Sequence, residues 1–96
     1  MVVAVNRIFV KKEFQKEFES RFRDRIRMVE QQPGWLRTEI LCPTDGEDYL
    51  VMTWWRSKED FERWVESAAF RKAHARATPR EWFSKPNEFQ LYTVLE

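Results

Sequence analysis

Phe14, Phe18, Phe22, Ile26 and Val29 recur at steps of four, four, four and three residues. That spacing places them on one side of a helix, and the Lys, Gln, Glu, Arg and Asp residues between them fall on the other. It predicts a helix from Lys12 to about Gln31 with its apolar side on a sheet. Before it lies Val2–Val10, a β-branched, apolar run broken by Asn6 and Arg7. After it, Pro33-Gly34 ends the helix and turns the chain. Trp35 to Cys42 then reads as a second strand, Pro43-Thr44-Asp45-Gly46 as a turn, and Tyr49 to Trp55 as a third strand closing a hairpin.

The remainder repeats the pattern. Ser57-Lys58-Glu59-Asp60 is a capping box in its looser form, and Phe61, Trp64 and Val65 follow at helical spacing. Ser67 is suited to cap a second short helix that ends before Pro79. Arg80 to Pro86 reads as a loop and Phe89 to Leu95 as the last strand. Strand, helix, strand, strand, broken helix, strand is the order of the α+β, ferredoxin-like split βαβ pattern. It predicts a four-stranded antiparallel sheet with helices on one face, in a single domain over residues 1–96.

The strands are apolar on both sides. Val2, Ala4, Asn6, Ile8 and Val10 share one face of the first strand, and Val3, Val5, Arg7 and Phe9 the other. Tyr49, Val51 and Trp55 alternate in the same way with Leu50, Met52 and Trp54. Helices on one side leave a second apolar face wet, which soluble monomers rarely tolerate, so a two-fold homodimer is expected. A charge at Val51 or Trp55 would weaken that dimer if theirs is the interface. It would alter a ligand site instead if theirs is the helix-covered face.

Composition narrows the function classes. Aromatic residues make up 16% of the chain, with five Trp and eight Phe, which suits a small core and also a pocket for a flat ligand. Charged residues reach 34%, yet the net charge is only +1, so there is no field to draw in nucleic acid. Cys42 is the single cysteine, which excludes an intrachain disulfide and a thiolate metal cluster. With no targeting pattern and no apolar run of membrane-spanning length, a cytoplasmic location and no membrane partner are expected. Ser20, Ser57, Ser67 and Ser84 lack a nucleophile elbow, and no Gly-rich nucleotide loop occurs. Glu13, Glu17, Glu59 and Asp60 read as solvated helix positions.

Three residues stand out. Asn6 lies mid-strand on an otherwise aliphatic face, where a buried amide needs partners or meets a ligand. Trp64 falls on the same helix face as Phe61. His74, the only histidine, is four residues after Phe70 and shares a face with it, Ala73 and Ala77, so its imidazole is expected to point inward. A histidine there serves as a hydrogen-bonded core residue, a base or a metal ligand.

With Pro33-Gly34-Trp35-Leu36, the stretch Trp54 through Asp60, and Phe61-x-x-Trp64-x-x-Ser67-x-x-Phe70-x-x-x-His74, the chain resembles the antibiotic biosynthesis monooxygenase superfamily. The resemblance is strongest to the IsdG-type haem-degrading monooxygenases. It implies a dimeric α+β barrel and a site made of Asn6, Trp64 and His74. His74 would ligate haem iron, Asn6 would donate a hydrogen bond on the distal side, and Trp64 would press on the macrocycle. Phe22 and Phe70 would line the slot, and haem would be both substrate and cofactor, with electrons from a separate reductase. The segment after His74 carries no family motif, and Arg76 or Arg80 would meet the propionates where they reach solvent. Two alternatives stay open. One is a cofactor-free monooxygenase of a quinol or polyphenol, the other a non-enzymatic dimer that binds a small apolar ligand.

Overall fold

The computed structural model describes residues 1–25, 27–74 and 78–96. Four strands, β1 (Val2–Val10), β2 (Trp35–Leu41), β3 (Asp48–Trp55) and β4 (Phe83–Thr93), form one antiparallel sheet in the order β2-β3-β1-β4. This is the ferredoxin-like order, and the helices α1 (Gln15–Arg23), α2 (Lys58–Val65) and α3 (Ala68–Ala73) cover one face.

The first helix is shorter than its apolar spacing suggests. A 3₁₀ turn at Lys12–Phe14 leads into α1, which stops at Arg23, and a second 3₁₀ turn occupies Met28–Gln31. Arg21, Arg23, Arg25 and Arg27 explain the break. In a continuous helix they would form like-charged pairs four residues apart, which destabilise it. Instead the Arg25 backbone N–H and its Nη1 both donate to the Phe22 carbonyl, at 3.2 and 3.0 Å, and satisfy an open group of the last turn. The stripe therefore serves two places. Phe14, Phe18 and Phe22 pack with Ile8, Val10 and Tyr49, while Val29 packs with Val2, Ala4, Trp55 and Trp64. Ile26 lies outside the described residues.

The last strand begins at Phe83, six residues earlier than expected, and takes in part of the predicted loop. Phe83 pairs with Val10, and its ring meets Phe18 edge-on at 6.3 Å. Pro86 sits where the register shifts between Arg7↔Glu88 and Phe9↔Lys85, on an edge strand, where a missing N–H breaks no inner ladder.

Both serine caps form. Ser57 Oγ accepts from the Asp60 N–H at 3.2 Å, and Ser67 Oγ from the Phe70 N–H at 3.0 Å. The Asp60 carboxylate in turn accepts from Ser57 Oγ and from Arg63 Nη1, at 3.0 and 2.7 Å. It is thus a capping group rather than a freely solvated acid. Arg63 first, then Ser57, hold this carboxyl below its ordinary value. Its contribution to stability is complete above the ordinary carboxyl range and is lost as pH falls through the lowered value.

Gly34 shows how closely the pieces fit. Its φ is +85°, and a Cβ there would run into the Asp60 carboxyl and lie 2.5 Å from Asp60 Cβ. Gly34→Ala should cost about 1–3 kcal/mol from backbone strain alone. Displacement of the Asp60 cap adds to that. A lowered urea midpoint with an unchanged m-value is the expected reading, and an unshifted midpoint would refute the Asp60 lock.

The two sheet faces can now be told apart. Val51 and Trp55 are on the helix-covered side with Val2, Ala4, Ile8 and Val10. The uncovered face is that of Val5, Leu50, Met52 and Trp54, with Leu41 and Tyr92 exposed at its margins.

Candidate functional site

On the helix-covered face the core is divided into two clusters. One is Val2, Ala4, Trp55 and Trp64 beneath α2 and α3; the other is Ile8, Val10, Phe18 and Tyr49 beneath α1. Asn6 belongs to the same face by alternation and falls between them. Its register neighbours are Val51 on β3 and Phe89 on β4, and Ile40 lies beyond Val51 on β2. This row lies in the gap, or cleft, that the two clusters leave between α1 and the α2–α3 pair. Asn6 is half-buried, and among the described residues its side-chain amide makes no hydrogen bond. Phe89 is exposed and stacks on Phe61 of α2 at 5.6 Å and 9°.

On the α2–α3 side, Trp64, Phe70 and His74 come together. Trp64 is 7% exposed and stacks on the fully buried Trp55. Phe70 meets Trp64 edge-on at 5.3 Å, and His74 stacks on Phe70 at 4.1 Å, with its ring centroid 6.5 Å from that of Trp64. The imidazole does not point inward: His74 is exposed. The reason is that α3 ends at Ala73, so His74 is its C-cap, with a non-helical backbone that turns the ring off the face on which Phe70 lies. Ala77, the fourth residue expected on that face, lies outside the described residues, as does Arg76.

His74 is nonetheless held. Its Nδ1 is 2.9 Å from the Phe70 carbonyl oxygen, which also accepts the His74 backbone N–H. A carbonyl only accepts, so Nδ1 carries a proton, and in the neutral ring Nε2 keeps its lone pair. Such a backbone bond fixes the ring and its tautomer, as the outer partners of metal-bound histidines do. Among the described residues no group of three His, Cys, Asp or Glu side chains converges. A metal ion on His74 thus needs its other ligands from outside the protein, as iron in a porphyrin has them. The free nitrogen, the aromatic walls and the Asn6 cleft fit that group.

Phe22 lies near the end of α1, packed in the other cluster with Ile8, Val10, Phe18 and Tyr49. It also lines a cavity of about 220 Å³ with Phe18, Glu19, Arg23, Arg25, Ile40, Cys42 and Tyr49. Asn6, Trp64 and His74 do not reach that cavity, and its volume is below the range for sites that enclose drug-sized ligands. The cleft, not the cavity, is the candidate site.

The chain matches the family model for the antibiotic biosynthesis monooxygenases, over residues 1–76. It belongs to that family. Among the curated members, the mycobilin-producing heme oxygenase of Mycobacterium tuberculosis is 42% identical over 93 residues, 94% of this chain and 88% of that protein. A heme-degrading monooxygenase of Shouchella clausii is 32% identical over 97 residues, 98% of this chain and 90% of the relative. The fold of this family member also superposes on the heme-degrader MhuD of M. tuberculosis, solved with two hemes bound in its active site. There the TM-score is 0.81 at 32% identity, covering all of this chain and 97% of that one.

One element of this family member was not visible in its sequence pattern. Tyr49 is almost fully buried, and its hydroxyl donates to Glu19 Oε2 at 2.5 Å. Burial first, then the Glu19 carboxylate, push the phenol far above its ordinary value, so it remains a neutral donor. The bond ties α1 to β3 one turn before Phe22. The available signal was Tyr49 itself, an inward-facing phenol that needs a partner. Among the described residues, no helix is long and apolar enough to cross a membrane.

Proposed function

We propose that this protein is a haem-degrading monooxygenase, with haem as both substrate and cofactor and electrons from a separate reductase. The observation that carries the reading is the fixed imidazole of His74, stacked on Phe70 beside Trp64 with Nε2 free among the described residues. The relatives named for heme degradation support it, two of them across nearly the whole chain. Bound haem supplies an iron that takes up oxygen and a ring that is itself attacked. His74 would hold the iron through Nε2, and the Asn6 amide would offer a hydrogen-bond donor. Trp64, backed by Trp55, would be a rigid wall against the macrocycle, and distortion is one lever on haem reactivity. Phe22 and Phe70 would help to exclude water.

The uncovered sheet face supports a homodimer in the same reading. Val5, Leu50, Met52 and Trp54 form an apolar surface there that a second copy of the chain would cover.

A Soret titration tests the haem reading directly. Saturable binding with an imidazole-ligated spectrum is expected, followed by bleaching of the band when oxygen and a reductant are added. Trp64→Phe separates wall from core. The smaller ring should lower stability by roughly 1–2 kcal/mol, keep haem binding, and slow the bleaching. Loss of fold and haem together would make Trp64 a core residue only.

A further inference from the structure

Three of the five tryptophans pack in one cluster beneath α2 and α3. Trp64 stacks on Trp55 with ring centroids 6.5 Å apart and planes 25° apart. Trp55 is fully buried and is the register partner of Trp35 across β2 and β3. Trp35 packs on the same cluster and is half-buried, the most exposed and so the outermost of the three. The indole N–H of Trp55 donates to Thr53 Oγ1, and that of Trp35 to Thr38 Oγ1, each at 2.9 Å. Thr38 and Thr53 are themselves register partners. Two neighbouring threonines thus serve two neighbouring indoles. A core built only for burial gains nothing from this arrangement, because Phe or Leu would fill the space without an N–H to satisfy.

Indole is among the side chains most easily oxidised by one electron, and phenylalanine is among the hardest. The neighbours of Trp64 therefore differ in kind: Phe70 is a dead end, and Trp55 accepts a hole. We infer that Trp64, Trp55 and Trp35 form a relay that carries stray oxidising equivalents away from the cleft. The inference rests on the proposed haem chemistry, in which oxygen or peroxide supplies the oxidant. When the oxidised haem misses its own ring, it takes one electron from Trp64. Trp55 returns an electron to Trp64, and Trp35 returns one to Trp55. The net change is one electron gained by the oxidant and one lost by Trp35, whose indole N–H proton passes to water. If no external reductant refills Trp35, a second one-electron loss and the addition of one water oxygen leave a hydroxylated indole and release a second proton. Damage collects at the outer end, and the wall against the substrate stays intact.

The test uses the full-length chain loaded with haem and treated with hydrogen peroxide in the absence of a reductant, with peptide mass spectrometry to locate added oxygen. Soret absorbance before treatment reports whether haem is bound. In the unaltered chain the added oxygen should be found at Trp35 well above Trp64, and haem-free protein should show neither. Cys42, exposed, reports oxidation by free peroxide in every sample. Trp55→Phe should bring oxidation at Trp35 down to the haem-free level and shift it to Trp64. Because Trp55 is central to the core, Trp35→Phe at the half-buried end provides a second reading, with oxygen appearing on Trp55 and Trp64. Oxidation at Trp35 that persists in Trp55→Phe, or damage at Trp64 unchanged in Trp35→Phe, overturns the relay while the haem reading stands. A chain with no Soret band overturns both.

Discussion

His74→Ala is expected to give a folded protein that no longer shows an imidazole-ligated haem spectrum. The fold should survive because the ring is exposed, at a helix end, and buries little; surface changes of this kind usually stay within about 0.5 kcal/mol. Haem affinity should fall by at least roughly a hundredfold, since even changes to the outer partners of metal ligands cost about 10–100-fold. Added imidazole, free to occupy the vacated position, should restore part of the Soret shift. The exposure of His74 makes this experiment cleaner than an interior histidine would allow, because loss of ligation and loss of fold are not confounded. A core histidine would give the reverse result, lost stability with no spectral change. An unchanged affinity and spectrum in the alanine variant would remove the iron-ligand role and with it the proposed activity. Activity on a quinol without haem would favour the cofactor-free alternative.

Local chemistry was readable from the residues alone. The Ser57 and Ser67 caps, the Pro33-Gly34 turn and the Pro43–Gly46 hairpin each depend on a few neighbouring side chains, and each is where the pattern puts it. The element order followed, and with it the sheet. Three features were hidden because they depend on contacts distant in sequence or on where an element ends. The apolar spacing from Phe14 to Val29 is helical throughout, but the four alternating arginines interrupt it, and its ends serve different clusters. His74 is one residue past the end of a six-residue helix, so sharing a face with Phe70 in sequence placed its ring beside Phe70 without burying it. Glu19 looked like one more polar helix residue until Tyr49, thirty residues away, claimed it. Asn6 was the opposite case: its alternation with aliphatic residues placed it on the correct face, and the division of the core into two clusters gives that position its meaning.

Met52→Asp is expected to convert the proposed dimer into a folded monomer of 11.8 kDa by sedimentation. Met52 lies on the uncovered face, opposite Val5 on β1 and Glu39 on β2, with Trp54 two residues further along β3. In the monomer its side chain is half-buried beside this open surface, so an aspartate there stays hydrated and the fold persists. In a two-fold interface the same residue enters twice, and each copy must be buried without a partner. An uncompensated buried charge costs roughly 3–5 kcal/mol, so the pair is enough to abolish association at micromolar concentration. Val51→Asp is the matched control on the other face, where Val51 lies beside Asn6 in the cleft. It should leave the dimer intact and weaken haem binding. If the control breaks the dimer and Met52→Asp does not, the helix-covered face is the interface and the cleft assignment fails with it. If neither changes the mass of the particle, self-association does not use the sheet.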